Sequence, residues 1–322
     1  MTDPAFWRGK RILVTGASGF VGRNLTPLLA GTGCELVAPP RADYDLLEQA
    51  DVRRLMVDAR PEMVVHLAAL SGGILANRDY PADFCYQNLL MNTLVAHEAW
   101  RAGVAKFVTL IGGCSYPAQA ENPINERDLW NGYPQQESAA YSLAKRMSVV
   151  MADAYRQQHG FDAVVLVPGN LYGPHDNFDL QNAHVIPATI RKFFEAKRRG
   201  DAEVVAWGSG APVRDFIYVG DACEVILTAA ERYSAPGIIN LSSGVPTTIR
   251  ELIETVAELS GFKGRVRWDT SKPDGQMFKG FDVTRMHEQL GYRCPTTLRE
   301  GLTRTIAWFE QHYDRARLAV PV

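Results

Sequence analysis

The sequence has little that would place it in a membrane, on nucleic acid or outside the cell. Among 322 residues there are only five cysteines, an odd number: Cys34, Cys85, Cys114, Cys223 and Cys294. They are widely scattered, with no CxxC or Cys/His spacing, so neither zinc nor a disulfide framework is expected. No apolar stretch is long enough to span a bilayer. The N-terminal MTDPAFWRGKR lacks the apolar core of a signal peptide, so a cytoplasmic chain with no membrane partner is expected. Charge of neither sign dominates: 34 Lys and Arg against 36 Asp and Glu leave a net −2. A basic surface for nucleic acid is therefore not expected. Internal repeats and low-complexity linkers are also missing. The hydrophobic share of 46% is that of an ordinary globular protein, long enough for one large domain or two unequal ones.

Short apolar runs alternate with amphipathic segments through the first half, the pattern of βαβ units and a parallel sheet. Strands are expected at RILVTG (11–16), ELVAP (35–39), MVVHLA (63–68), KFVTLI (106–111) and DAVVLVP (162–168). Long helices are expected at about 82–101 and 138–159, and a further one in HVIPATIRKFFEAKRRG that Gly200 ends. IINLSS (238–243) reads as a return strand to the main sheet, and the segments after it as a smaller α+β unit. The expected fold class is α/β: a doubly wound parallel sheet of Rossmann type with a smaller C-terminal α+β substrate domain. The nucleotide-binding domain is assigned to 1–172 plus about 215–242, and the substrate domain to about 173–214 plus 243–322.

TGASGFVG sets Gly16, Gly19 and Gly22 between the first strand and a helix that begins near Gly19–Phe20. Glycines there permit a tight turn and close approach to a pyrophosphate at the positive end of the helix; a mere packing turn is the plainer alternative. After the second strand the chain reads LVAPPRADYDLL, with no carboxylate ahead of Arg41. An acidic residue would favour NAD and an arginine the extra phosphate of NADP, so NADP(H) is expected unless Arg41 is only a solvated cation.

Two further stretches carry groups able to move protons. YSLAK puts Tyr141 and Lys145 four residues apart on one helix face, where an ammonium beside a phenol would lower its pKa and suit it to a carbonyl/alcohol oxygen. The plainer reading is a core tyrosine and a solvated lysine. LIGGCSYP (110–117) ends an apolar run with Cys114, and on the residues alone a buried, inert thiol is the better reading of it.

Beyond these local readings, the chain resembles the extended short-chain dehydrogenases/reductases, and within them the GDP-4-keto-6-deoxymannose 3,5-epimerase-4-reductases. The resemblance covers nearly the whole chain. It rests on HLAAL-SGGI (66–74), YPADFCYQN (80–88), GGCSYP, AYSLAKR, NLYGPHDNF (170–178), HVIPA (184–188), WGSGAPVRDF (207–216) and SKPDG…DVTR (271–285). It implies an enzyme that epimerises C3 and C5 of a GDP-linked 4-keto sugar, with Cys114 and His184 as base and acid. It then reduces C4 with NADPH, using Tyr141 and Lys145. It further implies a cofactor site at Gly16, Gly19, Phe20, Gly22, Arg41 and Lys145, and substrate contacts from Asn170, Lys192, Trp207, Arg214 and Lys279. No metal is implied. A homodimer through the helices at about 82–101 and 138–159 is.

Two positions depart from the family pattern. Gly112 stands where relatives carry a hydroxyl residue four positions before the tyrosine of CxYP. Met277 and Phe278 stand where a proline and an arginine are usual. Ser115, the nearest hydroxyl, is expected to face away from Cys114 because neighbours on a strand point to opposite faces. An epimerase-only or 4-reductase-only enzyme on another nucleotide sugar is the rival reading. A catalytically dead nucleotide-sugar binder is the third.

Overall fold

The computed structural model describes residues 3–316 of the chain. Six parallel strands form the main sheet, in the spatial order Glu35–Val37, Arg11–Thr15, Met63–His66, Lys106–Leu110, Ala163–Pro168, Ile238–Leu241. The strands read as unbroken apolar runs because helices cover both faces, and Leu13, Val14, Val64, Val65, Val108 and Val164 are fully buried. After Arg11–Thr15 the chain goes first to one side, then crosses to the other at Met63–His66. Such a reversal opens a crevice at the carboxyl ends of the strands, where ligands bind.

Strand ends fall one or two residues short of the sequence expectation: pairing stops at Val37, His66 and Leu110. The next residues still bond the sheet: the Leu67 amide donates to the Thr15 carbonyl and the Ile111 amide to the Leu166 carbonyl, each at 3.0 Å. The helices Pro81–Arg101 and Ala139–His159 pack on each other, and Gly160 ends the second in a left-handed turn.

A second core gathers Tyr172, Phe178, Ile190, Phe193, Leu252, Val256, Leu302 and Phe309. Over it, Val213–Tyr218 pairs with Asn170–Tyr172, Pro246–Thr248 and Phe278–Lys279, while Glu203–Trp207 pairs with Arg265–Asp269. The next helix, Val219–Arg232, returns to the first core, where Ala222, Cys223, Val225, Ile226 and Ala229 are buried. Among the described residues no helix is long and apolar enough to cross a membrane.

Candidate active site

The glycine loop leaves the first strand at Thr15. Gly16 has φ +73°, and a Cβ there would stand 2.6 Å from the backbone nitrogen of Ala68. A Cβ on Gly22 would stand 2.3 Å from the Gly16 carbonyl oxygen. Both positions therefore demand glycine to let loop, helix and neighbouring strand close up. Gly19 caps the helix Phe20–Gly31 with no side-chain hydrogen bond, so the first-turn amides stay open to an anion. Phe20 is half-buried against the main core, and Arg41 is exposed in the turn beyond the second strand. An uncapped helix end over a close-packed glycine turn fits a dinucleotide pyrophosphate.

After Lys106–Leu110 the backbone does not continue as a strand. Gly112 is extended (φ −101°, ψ 151°) and Gly113–Ser115 form a 3-10 turn. Cys114 is thus presented by a turn, which corrects the alternating-strand basis for orienting Ser115. Ser115 still points away: it is fully buried and its hydroxyl donates to the Ser142 carbonyl at 3.4 Å. The Ser142 hydroxyl donates back to the Cys114 carbonyl at 3.1 Å. Arg146, 4% exposed, clamps the turn: Nε donates to the Ser115 carbonyl at 2.5 Å and Nη1 to the Gly132 carbonyl at 3.0 Å. A Cβ on Gly112 would lie 3.0 Å from Sγ of Cys114 and 3.5 Å from Cε1 of Tyr141, so thiol and phenol ring share one pocket.

Burial, and any negative charge on nearby Cys114, hold the Tyr141 phenol above its ordinary value. The expected lowering by Lys145 is therefore not found. The Lys145 ammonium turns to Asn92 Oδ1 at 3.4 Å, and burial, opposed by the charge on Cys114, lowers it to about 8. Tyr141 is thus a proton donor at neutral pH. When ionised, Cys114 also supports the protonated states of Arg146 and Lys279.

Lys279 lies directly beside Arg214 across paired strands. Burial lowers both, and the Arg214 charge lowers Lys279 further. Like charges so placed repel unless an anion lies between them. Lys192 sits 5.5 Å from the ring centroid of exposed Trp207, with Lys272 at 5.7 Å on the same ring. The side-chain amide of Asn170 donates to the Asp215 carbonyl at 2.8 Å, holding together the strands that carry Arg214. His184 stands at the N-cap of the helix Val185–Arg199, keeping solvent contact while surrounding protein lowers its pKa. No hydrogen bond or charge contact links it to Cys114 among the described residues. Sequence reading missed Arg146, His66, Asn92 and Lys272; the buried pair Asn88 and Asn92, one turn apart on a long helix, was the available signal.

Switch-point crevice, glycine cradle and a Tyr/Lys pair on one helix define an enzyme of the extended short-chain dehydrogenase/reductase type. The model of the NAD dependent epimerase/dehydratase family matches residues 12–242, and the chain belongs to that family. It is 41% identical over 303 residues to GDP-L-fucose synthase 1 of Arabidopsis thaliana, covering 94% of each chain. A GDP-L-fucose synthetase from Naegleria fowleri bound to NADP matches with TM-score 0.88 and 28% identity, over 96% of this chain and 97% of that one. A GDP-6-OMe-4-keto-L-xylo-heptose reductase from C. jejuni matches with TM-score 0.87 and 28% identity, over 94% and 98% of the two chains.

Proposed function

We propose that the chain binds NADPH and a GDP-4-keto-6-deoxyhexose, epimerises the sugar at C3 and C5 and reduces it at C4. The observation that carries this is Cys114 beside the Tyr141 ring and within charge reach of Lys279, which lies next to Arg214 across paired strands. The pair offers two charges for a diphosphate, in which guanidinium and ammonium are the groups of choice. Trp207, flanked by Lys192 and Lys272, offers a flat face for a base. Asn170 supports this wall from behind. The nucleotide sugar would thus lie on the unit formed by 173–214 and 243–322, with the cofactor on 1–172 and about 215–242. The high identity to a GDP-L-fucose synthase and the NADP in a structural relative support both ligands.

Cys114, as thiolate, would take the proton α to the C4 ketone. His184, after taking up a proton as imidazolium, would deliver it to that carbon from the other face of the ring. The phenol of Tyr141 would bear the enolate charge on O4 and later give O4 its proton, and a depressed Lys145 would restore it. NADPH, once seated on Gly16, Gly19, Phe20, Gly22 and Arg41, supplies the hydride for C4. Proton and hydride together convert ketone to alcohol.

A second reading, reduction alone on a different GDP-linked sugar, draws on Gly112 and on the separation of His184 from Cys114. One incubation with GDP-4-keto-6-deoxymannose and NADPH in heavy water separates them. NADPH loss with deuterium at C3 and C5 supports the proposal. Loss without deuterium supports reduction alone; no loss rejects the first reading, and NADPH loss with other GDP-linked 4-keto sugars then decides the second.

A homodimer is part of the same proposal. The packed helices Pro81–Arg101 and Ala139–His159 leave Tyr86 and Leu89, and Met147 and Val150, exposed one turn apart, which suits a second copy. Sedimentation at micromolar concentration tests it, and a monomer there would rule the dimer out.

A further inference from the structure

Lys145 is 3% exposed, and its one hydrogen bond among the described residues goes to Asn92 Oδ1. The same oxygen lies 3.1 Å from Nε2 of His66, whose Nδ1 lies 2.7 Å from the hydroxyl of Thr15. Burial and the Lys145 charge press His66 down to about 3, so it stays neutral and carries a single ring proton. Asn92 Oδ1 can only accept, which places that proton on Nε2 and leaves Nδ1 to accept from Thr15. The Thr15 oxygen in turn accepts from the Ala68 amide at 3.4 Å. A line of hydrogen bonds with every donor assigned therefore runs from the last residue before the glycine loop to the lysine.

The amide of Asn92 cannot be turned round, because Nδ2 would then face the ammonium. As it stands, Nδ2 is buried with no protein partner, and Asn92 lines a small internal cavity with His66, Thr109 and Ser148. An unpaired buried donor is costly, so an apolar side chain would sit there more easily. What asparagine adds is its oxygen.

We propose that Asn92 is the positioning residue of Lys145, holding the ammonium at the end of a chain that His66 and Thr15 anchor to the dinucleotide loop. This rests on the reading of Lys145 as the lysine of the cofactor site. The titratable groups around the ammonium are Cys114 on the turn, His66 on the third strand and Tyr141 one turn back on its own helix. Of these only an ionised Cys114 favours the charge. Asn92 is the neutral group that solvates it.

The test is direct titration of Lys145 by NMR in the full chain labelled with 13Cε-lysine, the resonance being identified by its loss in Lys145→Met. The wild-type midpoint is expected near 8. Asn92→Leu should lower it and Asn92→Asp raise it, each by about one pH unit, since a group that bonds the charged form favours that form. A merely structural Asn92 would act in the opposite sense in the leucine variant, because loosened packing admits water and raises the midpoint. Equal midpoints in all three proteins, or a rise in Asn92→Leu, would overturn the proposal. NADPH titration of the same samples reports separately on the functional reading: absence of binding at every pH would reject that reading, while the NMR midpoints would still decide the role of Asn92.

Discussion

The guanidinium of Arg146 donates through Nε to the carbonyl of Ser115, the residue after Cys114, and through Nη1 to the carbonyl of Gly132. A single buried side chain thereby ties the thiol's turn to the helix that carries Tyr141 and Lys145. The relative placement of thiol and phenol follows from this clamp.

Arg146→Leu should remove both bonds and leave the buried Ser115 carbonyl short of a donor. A loss of about 1–3 kcal/mol in unfolding free energy is expected, read from urea melts. Arg146→Lys retains the charge but not the fork, and should recover only part of that loss. Full recovery by lysine would mean that charge, not the two directed bonds, holds the turn.

Tyr141 and Lys145 could be placed from the four-residue spacing alone, because one helix decides their shared face. Gly16 was legible too, since strand, turn and helix are local and only glycine meets φ +73° there. Arg146, His66 and Asn92 were not. Each gains its role from contacts made 14 to 53 residues away in sequence, and a buried polar residue leaves no periodic trace. Helix Val219–Arg232 was legible but passed over: Asp221, Glu224, Thr228, Glu231 and Arg232 form one polar stripe along it. The lowered phenol was misjudged because spacing cannot say where an ammonium points; here it points to Asn92.

Arg41 stands exposed beyond the second strand, with no carboxylate ahead of it. Arg41→Ala should weaken NADPH binding by about 1–2 kcal/mol, the low end of a charge-assisted contact because solvent screens it. NADH binding should hardly change. Fluorescence titration of both cofactors checks this, and an equal loss for the two would remove Arg41 from the 2′-phosphate.

Cys114→Ser keeps the shape of the turn and replaces a thiol by a hydroxyl that ionises far less readily. Deuterium uptake from heavy water at the sugar carbons should fall by about 100-fold or more, the usual effect of losing a general base. NADPH affinity should be unchanged. His184→Gln should impair exchange at one face while leaving Cys114 able to remove its proton, so partial uptake is expected. Uptake at the wild-type rate in Cys114→Ser would make the thiol a packing group.

Gly112 offers the sharpest discrimination between substrates. Its φ of −101° is ordinary extended backbone, so serine needs no forbidden conformation. The new Cβ would meet Sγ of Cys114 at 3.0 Å, a tight contact that rotation of one thiol about χ1 relieves. It would also lie 3.5 Å from the Tyr141 ring, which brings the hydroxyl beside the phenol that serves O4. A donor aimed at a developing oxyanion contributes at most about 3 kcal/mol, so Gly112→Ser should speed reduction of the fucose precursor by up to about 100-fold. Melting temperature measured alongside kcat/KM separates folding from chemistry. A folded variant that reduces more slowly would mean that substrate itself fills the space above Gly112. The pocket would then be shaped for a ligand with more bulk near C4 than a 6-deoxyhexose. The sugar assignment would fall, while Tyr141 and Lys145 would keep their parts in a reductase.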